Sequence, residues 1–180
     1  NKELCASTRG KFGTFSSGQA LDILSRAQFI KAHNIVSTLG HDLMTLVVEL
    51  ITPESKVHVD YDGETTLFLL AAYDKSGNKL DLNVLQHLVD EMPHLFRMPE
   101  ARLFTLDEMV AEVNDRSVEN CEGWVMDFNG ELIKFKYIDY IGQMVREKLS
   151  YKYIMNCMRK DRLHKMLHTL PEEVREFAYK

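Results

Sequence analysis

Apolar side chains along this chain recur at two spacings, and the changes from one to the other mark the elements. Leu4 to Ser7 reads as a short strand running into Thr8-Arg9-Gly10-Lys11-Phe12-Gly13, a loop with two glycines and two cations. Ser16-Ser17-Gly18-Gln19 offers a capping box. Ala20, Leu21, Leu24, Ala27 and Ile30 or Lys31 follow three or four apart, so a helix of about four turns is expected before Gly40. Leu43–Ile51 is a nearly continuous apolar run of strand length, interrupted by the single acid Glu49 and closed by Pro53. From Lys56 to Tyr61, Val57, Val59 and Tyr61 alternate with His58 and Asp60, the period of a half-buried strand. Asp62-Gly63 turns the chain into a further strand over Thr66–Tyr73. Asp81 is placed to cap a helix through Val84, Leu85, Leu88 and Val89. Ala101–Phe104 reads as a short strand, and Thr105-Leu106-Asp107-Glu108 is a second capping box, opening a helix through Met109, Val110 and Val113. After Tyr137 the three-or-four spacing continues without strand signals, so residues 139–180 are expected to be helical.

Between these last two stretches, Asn129-Gly130 sits among alternating apolar residues, the strongest short-range signal of a β-hairpin. Two registers are possible. A two-residue loop sets Lys136 opposite Gly123 and is expected to turn Glu122 away from Lys134 and Lys136. A three-residue loop with Gly130 in a left-handed bulge pairs Lys136 with Glu122 and Lys134 with Trp124. The second is preferred here, because it gathers the charged groups on one face and leaves Val125, Ile133 and Phe135 facing the core.

Composition narrows the class. With 45% apolar and 27% charged residues among 180, the chain has ordinary globular proportions and enough length for a sizeable core. No run reaches the length of a membrane span. Cys5, Cys121 and Cys157 are odd in number and widely spaced, which argues against a disulfide framework or a zinc site and for a reducing cytoplasm. The first residue is Asn rather than Met, from which a start inside a longer protein is expected. Residues 1–133 hold 11 basic and 21 acidic side chains, net −10, while residues 134–180 hold 11 and 6, net +5. A basic end on an acidic body suits a polyanion partner, though charge alone favours the plain solvated helical surface.

The candidate chemistry is that of phosphate. Lys134 and Lys136, two apart on one strand, can project the same way and hold a phosphate from one side. Glu122 can carry a magnesium ion, which takes one or two carboxylates with phosphate and water as its other ligands. Arg9 beside Gly10 lets a guanidinium meet a phosphate at a sharp turn. Glu49 taken alone is an acid on an edge strand, and Phe68 taken alone is a core aromatic. His58, His87, His94, His164 and His168 fall in no familiar metal spacing. His164 and His168 lack the intervening Glu of a zinc-protease helix, so all five are read as surface or core residues.

In their order, Ser7-Thr8-Arg9-Gly10 with the helix after it, Val48-Glu49-Leu50-Ile51-Thr52-Pro53 with Lys56–Tyr61, Glu122-Gly123-Trp124-Val125, and Lys134-Phe135-Lys136 form a pattern that covers nearly the whole chain. It resembles the nucleotidyltransferase domain of ATP-dependent RNA ligases of the phage tRNA-repair type. The resemblance implies an α+β fold with a mostly antiparallel sheet core over residues 1–138, followed by a helical appendage over 139–180. It also implies ATP and Mg2+ as cofactors, RNA ends, including those of tRNA, as partners, and sealing of 3′-hydroxyl to 5′-phosphate through lysyl-AMP and adenylylated RNA. By resemblance, Glu122, Lys134 and Lys136 are catalytic and Glu122 is the metal ligand. Arg9, Gly10, Glu49 and Phe68 then bind the nucleotide, Glu49 through the ribose hydroxyls and Phe68 beside the base. Glu49, Glu122 and the two lysines are thus expected to converge on one nucleotide. The family's Lys-x-Asp-Gly nucleophile is absent, so the chain is expected to be a fragment that cannot adenylylate itself. DNA ligases and capping guanylyltransferases share the core but continue into a β-barrel, which a helical tail disfavours. A non-catalytic α+β interaction module is the reading from another class.

Overall fold

The computed structural model describes residues 3–54, 59–115, 117–128, 131–170 and 174–175. The fold is mixed α+β. The chain divides into two compact units, one of residues 1–55 and 61–101, the other of residues 56–60 and 102–180.

In the first unit, β1 (Ser7–Thr8) and β2 (Lys11–Phe12) form a small antiparallel ladder around Arg9-Gly10. α1 (Phe15–Ile23) is capped by Thr14, whose side chain accepts from Ser17 N–H, not by Ser16. The expected four-turn helix is broken. The chain leaves helical geometry at Leu24, and Ser25 caps a second helix, α2 (Arg26–Thr38). Ser25 Oγ accepts from Gln28 N–H while Gln28 Oε1 accepts from Ser25 N–H at 2.7 Å. That reciprocal cap satisfies two orphan donors and outcompetes continuation of α1.

β3 (Leu43–Ile51) pairs antiparallel with β4 (Thr66–Asp74), and β5 (Phe96–Arg97) joins β4 in parallel after the crossover helix α3 (Leu82–Glu91). One sheet face carries Leu67, Leu69, Ala72 and the half-buried Val48 and Leu50 into a core with Ala32 and Val36 of α2 and Val84, Leu85 and Leu88 of α3. Phe96 and Met92 are wholly buried in the same cluster. Between the pairs Val47–Ala71 and Val48–Leu69, β4 carries Leu70 as an extra residue, which resets the alternation along β4 so that Leu69 and Ala72 both reach the core.

The strand expected over Lys56–Tyr61 falls partly on residues 56–58, outside the described residues, and Val59–Tyr61 are not in a strand. At Asp60 the backbone is occupied by a side chain. Asn120 Oδ1 accepts from Asp60 N–H at 2.5 Å, and Asn120 Nδ2 donates to Asp60 C=O at 2.8 Å. Nor do residues 101–104 form a strand.

In the second unit, α4 (Leu106–Asn114) starts from the expected Thr105/Glu108 capping box. The hairpin follows as β6 (Gly123–Phe128) and β7 (Glu131–Lys136), with Asn129-Gly130 outside the described residues. Three helices close the unit: α5 (Ile138–Lys148), α6 (Tyr151–Arg159) and α7 (Leu163–Thr169). They gather Met144, Cys157, Met166, Leu170 and Val174 into a core of their own, and Tyr140 of α5 also borders the hairpin's cluster. Residues 171–173 and 176–180 of the expected helical tail lie outside the described residues. Among the described residues, no helix is long and apolar enough to cross a membrane.

Candidate functional site: a carboxylate shared by two lysines

The register of the hairpin corrects the expectation. Gly123 pairs with Lys136, Trp124 with Phe135, Val125 with Lys134 and Phe128 with Glu131, the two-residue-loop alignment. Partners in an antiparallel pair share a face. Trp124, Met126 and Phe135 therefore turn inward onto Met109 and Val113, with Ile133, the partner of Met126, on the same face but 45% exposed, whereas Val125, 58% exposed, lies opposite Lys134 on the other face. Phe135 faces inward in either register, so the difference lies on β6: Trp124 and Met126 turn inward in place of Val125, which removes more apolar surface from water and favours the observed register.

That alignment was expected to separate Glu122 from the lysines, yet Glu122 Oε1 lies 2.5 Å from Lys134 Nζ and 3.4 Å from Lys136 Nζ. Gly123 supplies the reason. Its φ is +151°, and a Cβ built on it would fall 2.0 Å from the Phe135 carbonyl oxygen. Alternation of faces describes L-residues at negative φ, and it is not transmitted through a glycine in this conformation. Glu122 thus joins the lysine face although its carbonyl still accepts from Tyr137 N–H at 3.1 Å.

The three heads differ in setting. The side chain of Lys134 is half exposed, while that of Lys136 is 13% exposed, with its ammonium 5.3 Å from the centre of the Tyr140 ring. Burial pushes the Glu122 carboxyl up, but the hydrogen bond and charge of Lys134, followed by Lys136, outweigh it and hold the group below its ordinary value.

Behind the hairpin, Trp124 Nε1–H donates to Tyr137 Oη at 2.9 Å, and Tyr137 Oη–H donates to Glu112 Oε1 at 2.9 Å. Burial raises the Tyr137 hydroxyl above its usual range, and the Glu112 carboxylate adds to this, while the Trp124 hydrogen bond opposes it. Phe104 meets Trp124 edge-on with centroids 5.1 Å apart, and the Arg102 guanidinium lies 4.6 Å from the Phe104 ring centre. Within Ala101–Phe104, expected to be a strand, Arg102 and Phe104 serve instead as cover for the indole.

The remaining candidates lie in the first unit. Arg9 and Gly10 are the two exposed loop residues of the β1–β2 ladder, with Gly10 at φ +83°. Glu49 is exposed and directly opposite Phe68, which is half-buried and next to Arg97 on the far side. The three therefore form one row across the sheet on the face away from the helices. Tyr61 packs 5.8 Å from Phe68, and Arg97 meets Glu64 with two contacts of 2.8 Å. Sequence reasoning did not single out Tyr61, Arg97, Tyr137 or Trp124 for any role. Only the tyrosine-to-acid spacing in space, not in sequence, identifies Tyr137.

Among the described residues, no group of three or more His, Cys, Asp or Glu could hold a metal ion. No protein-family model, curated protein or solved structure matches this chain.

Proposed function

We propose that this chain binds the phosphates of ATP with magnesium through the Glu122, Lys134 and Lys136 cluster, as part of an ATP-dependent RNA ligase of the nucleotidyltransferase superfamily. The observation that carries the reading is the single carboxylate shared by two ammonium groups on one side of a hairpin. Phosphoryl and nucleotidyl transfer ask a protein mainly to position phosphate oxygens and neutralise the charge that grows on them. An incoming phosphate offers Lys134 and Lys136 the oxygens that Glu122 offers in its absence, so the lysines exchange one anionic partner for another without being left unpaired.

The donor set fits magnesium in one respect: one partly exposed carboxylate is enough for an ion that keeps several waters and takes its other ligands from phosphate. Glu122 would be its protein ligand, and the ion would supply further neutralisation of phosphate charge. The proposal rests on residues of the second unit alone. The RNA partner is supported by the net +5 of residues 134–180 and by exposed Tyr151 and Tyr153 on α6 beside Lys152. No Lys-x-Asp-Gly occurs in the sequence, so the role assigned to this chain is to hold phosphate, not to attack it.

The test is equilibrium binding of labelled ATP with magnesium, competed by 5′-phosphorylated RNA. Lys134→Ala and Lys136→Ala should each weaken binding by about 1.5–3 kcal/mol, the range for a hydrogen bond to a charged group, with the fold intact by circular dichroism. Binding unchanged by both substitutions would make the hairpin part of a non-catalytic interaction module.

A further inference from the structure

We propose that His164 and His168 form a two-imidazole site for a borderline divalent transition ion, with Zn2+ as the type. The two residues lie one turn apart on α7, the spacing that stacks side chains on one helix face. Their Nε2 atoms are 3.4 Å apart and their ring centroids 4.4 Å apart. Two nitrogens bound to one tetrahedral Zn2+ at 2.0–2.1 Å each must be about 3.3–3.4 Å from one another. The rings thus already hold the separation that the ion requires, so binding costs little reorganisation.

The support beneath the pair is firm. Met166 and Leu170 are each 5% exposed, and Leu163 and Leu167 pack around the same cluster, so the opposite face of α7 is anchored. Arg175 Nη2 donates to the Leu170 carbonyl at 3.0 Å and to that of His168 at 3.5 Å, tying down the C-terminal end of the helix. His164 and His168 are both exposed, so a hydrated ion reaches them.

The ligand chemistry selects the ion. Two imidazole nitrogens suit Zn2+, Ni2+ or Cu2+ and not Mg2+ or Ca2+, which prefer oxygen. Among the described residues no third His, Cys, Asp or Glu joins the pair. The site is independent of the phosphate-binding reading.

Zn2+ titration of the whole chain against a chromophoric chelator tests it, using His164→Asn, His168→Asn and the double variant. The wild-type chain should hold one Zn2+ roughly tenfold or more tighter than any variant, an order typical of perturbed metal sites. Each single variant should lose nearly as much as the double, because chelation needs both rings. Circular dichroism checks that these exposed substitutions leave the helices formed. Copper loaded at one equivalent into the unmodified chain gives a reading that needs no variant: its paramagnetic resonance should show two coupled nitrogens. Equal Zn2+ affinity in the wild type and the double variant, single losses that merely add, or coupling to one nitrogen would each overturn the proposal.

Discussion

A methyl group on residue 123 would sit 2.0 Å from the Phe135 carbonyl oxygen and 2.7 Å from Lys136 Cα, both backbone atoms that cannot swing aside. Gly123→Ala is therefore expected to cost about 3 kcal/mol or more, from the strained φ and the forced separation of the strands together. Urea unfolding followed by the fluorescence of Trp124, the only tryptophan in the chain, measures this directly. Glu122 gives a second expectation. Its carboxyl is held below the ordinary glutamate value of 4.5 by the two lysines, so its contribution to stability is complete above 4.5 and is lost as the pH falls through the lower, folded value. Glu122→Gln should lower the unfolding midpoint at neutral pH. The gap to the wild type should narrow as the solution is acidified below 4.5, and a gap independent of pH would remove the ion pairs from the account.

Elements form where local signals and packing agree, and they depart from the sequence pattern where the two conflict. The boundaries Leu43–Ile51 and the Thr105/Glu108 cap were legible because strand length and capping are local properties. The break between α1 and α2 carried a local signal as well, Ser25 with Gln28, but an apolar spacing that runs straight across it hid the stop. The hairpin register was not local. It rests on whether Trp124 and Met126 or Val125 join Phe135 in covering Met109 and Val113, contacts made by residues more than ten positions away. Tyr137 fixes the outcome by joining Trp124 of β6 to Glu112 of α4. Tyr137→Phe keeps the ring but removes a hydrogen-bond partner of the half-buried indole N–H and of the Glu112 carboxylate, which Arg102 also approaches at 3.9 Å. A loss of about 1–3 kcal/mol is expected, with a shift in Trp124 emission, by chemical denaturation.

For the molecule as a whole, the chain incubated with α-labelled ATP and magnesium should give no labelled band on a denaturing gel, since no Lys-x-Asp-Gly nucleophile occurs in it. A labelled band would transfer that role to one of its other lysines. The α+β character and the helical C-terminal region could be read before any coordinates, because periodicity carries them. Folding settled the rest. The parallel strand Phe96–Arg97 is too short to declare itself and exists because α3 returns it to β4. Glu122 meets the lysines through a register that alternation alone forbade, since a glycine at φ +151° carries no handed constraint along the strand. The chemistry of a side chain is written in its type, but the direction in which it points is set by backbone torsions and by the core its neighbours choose to bury.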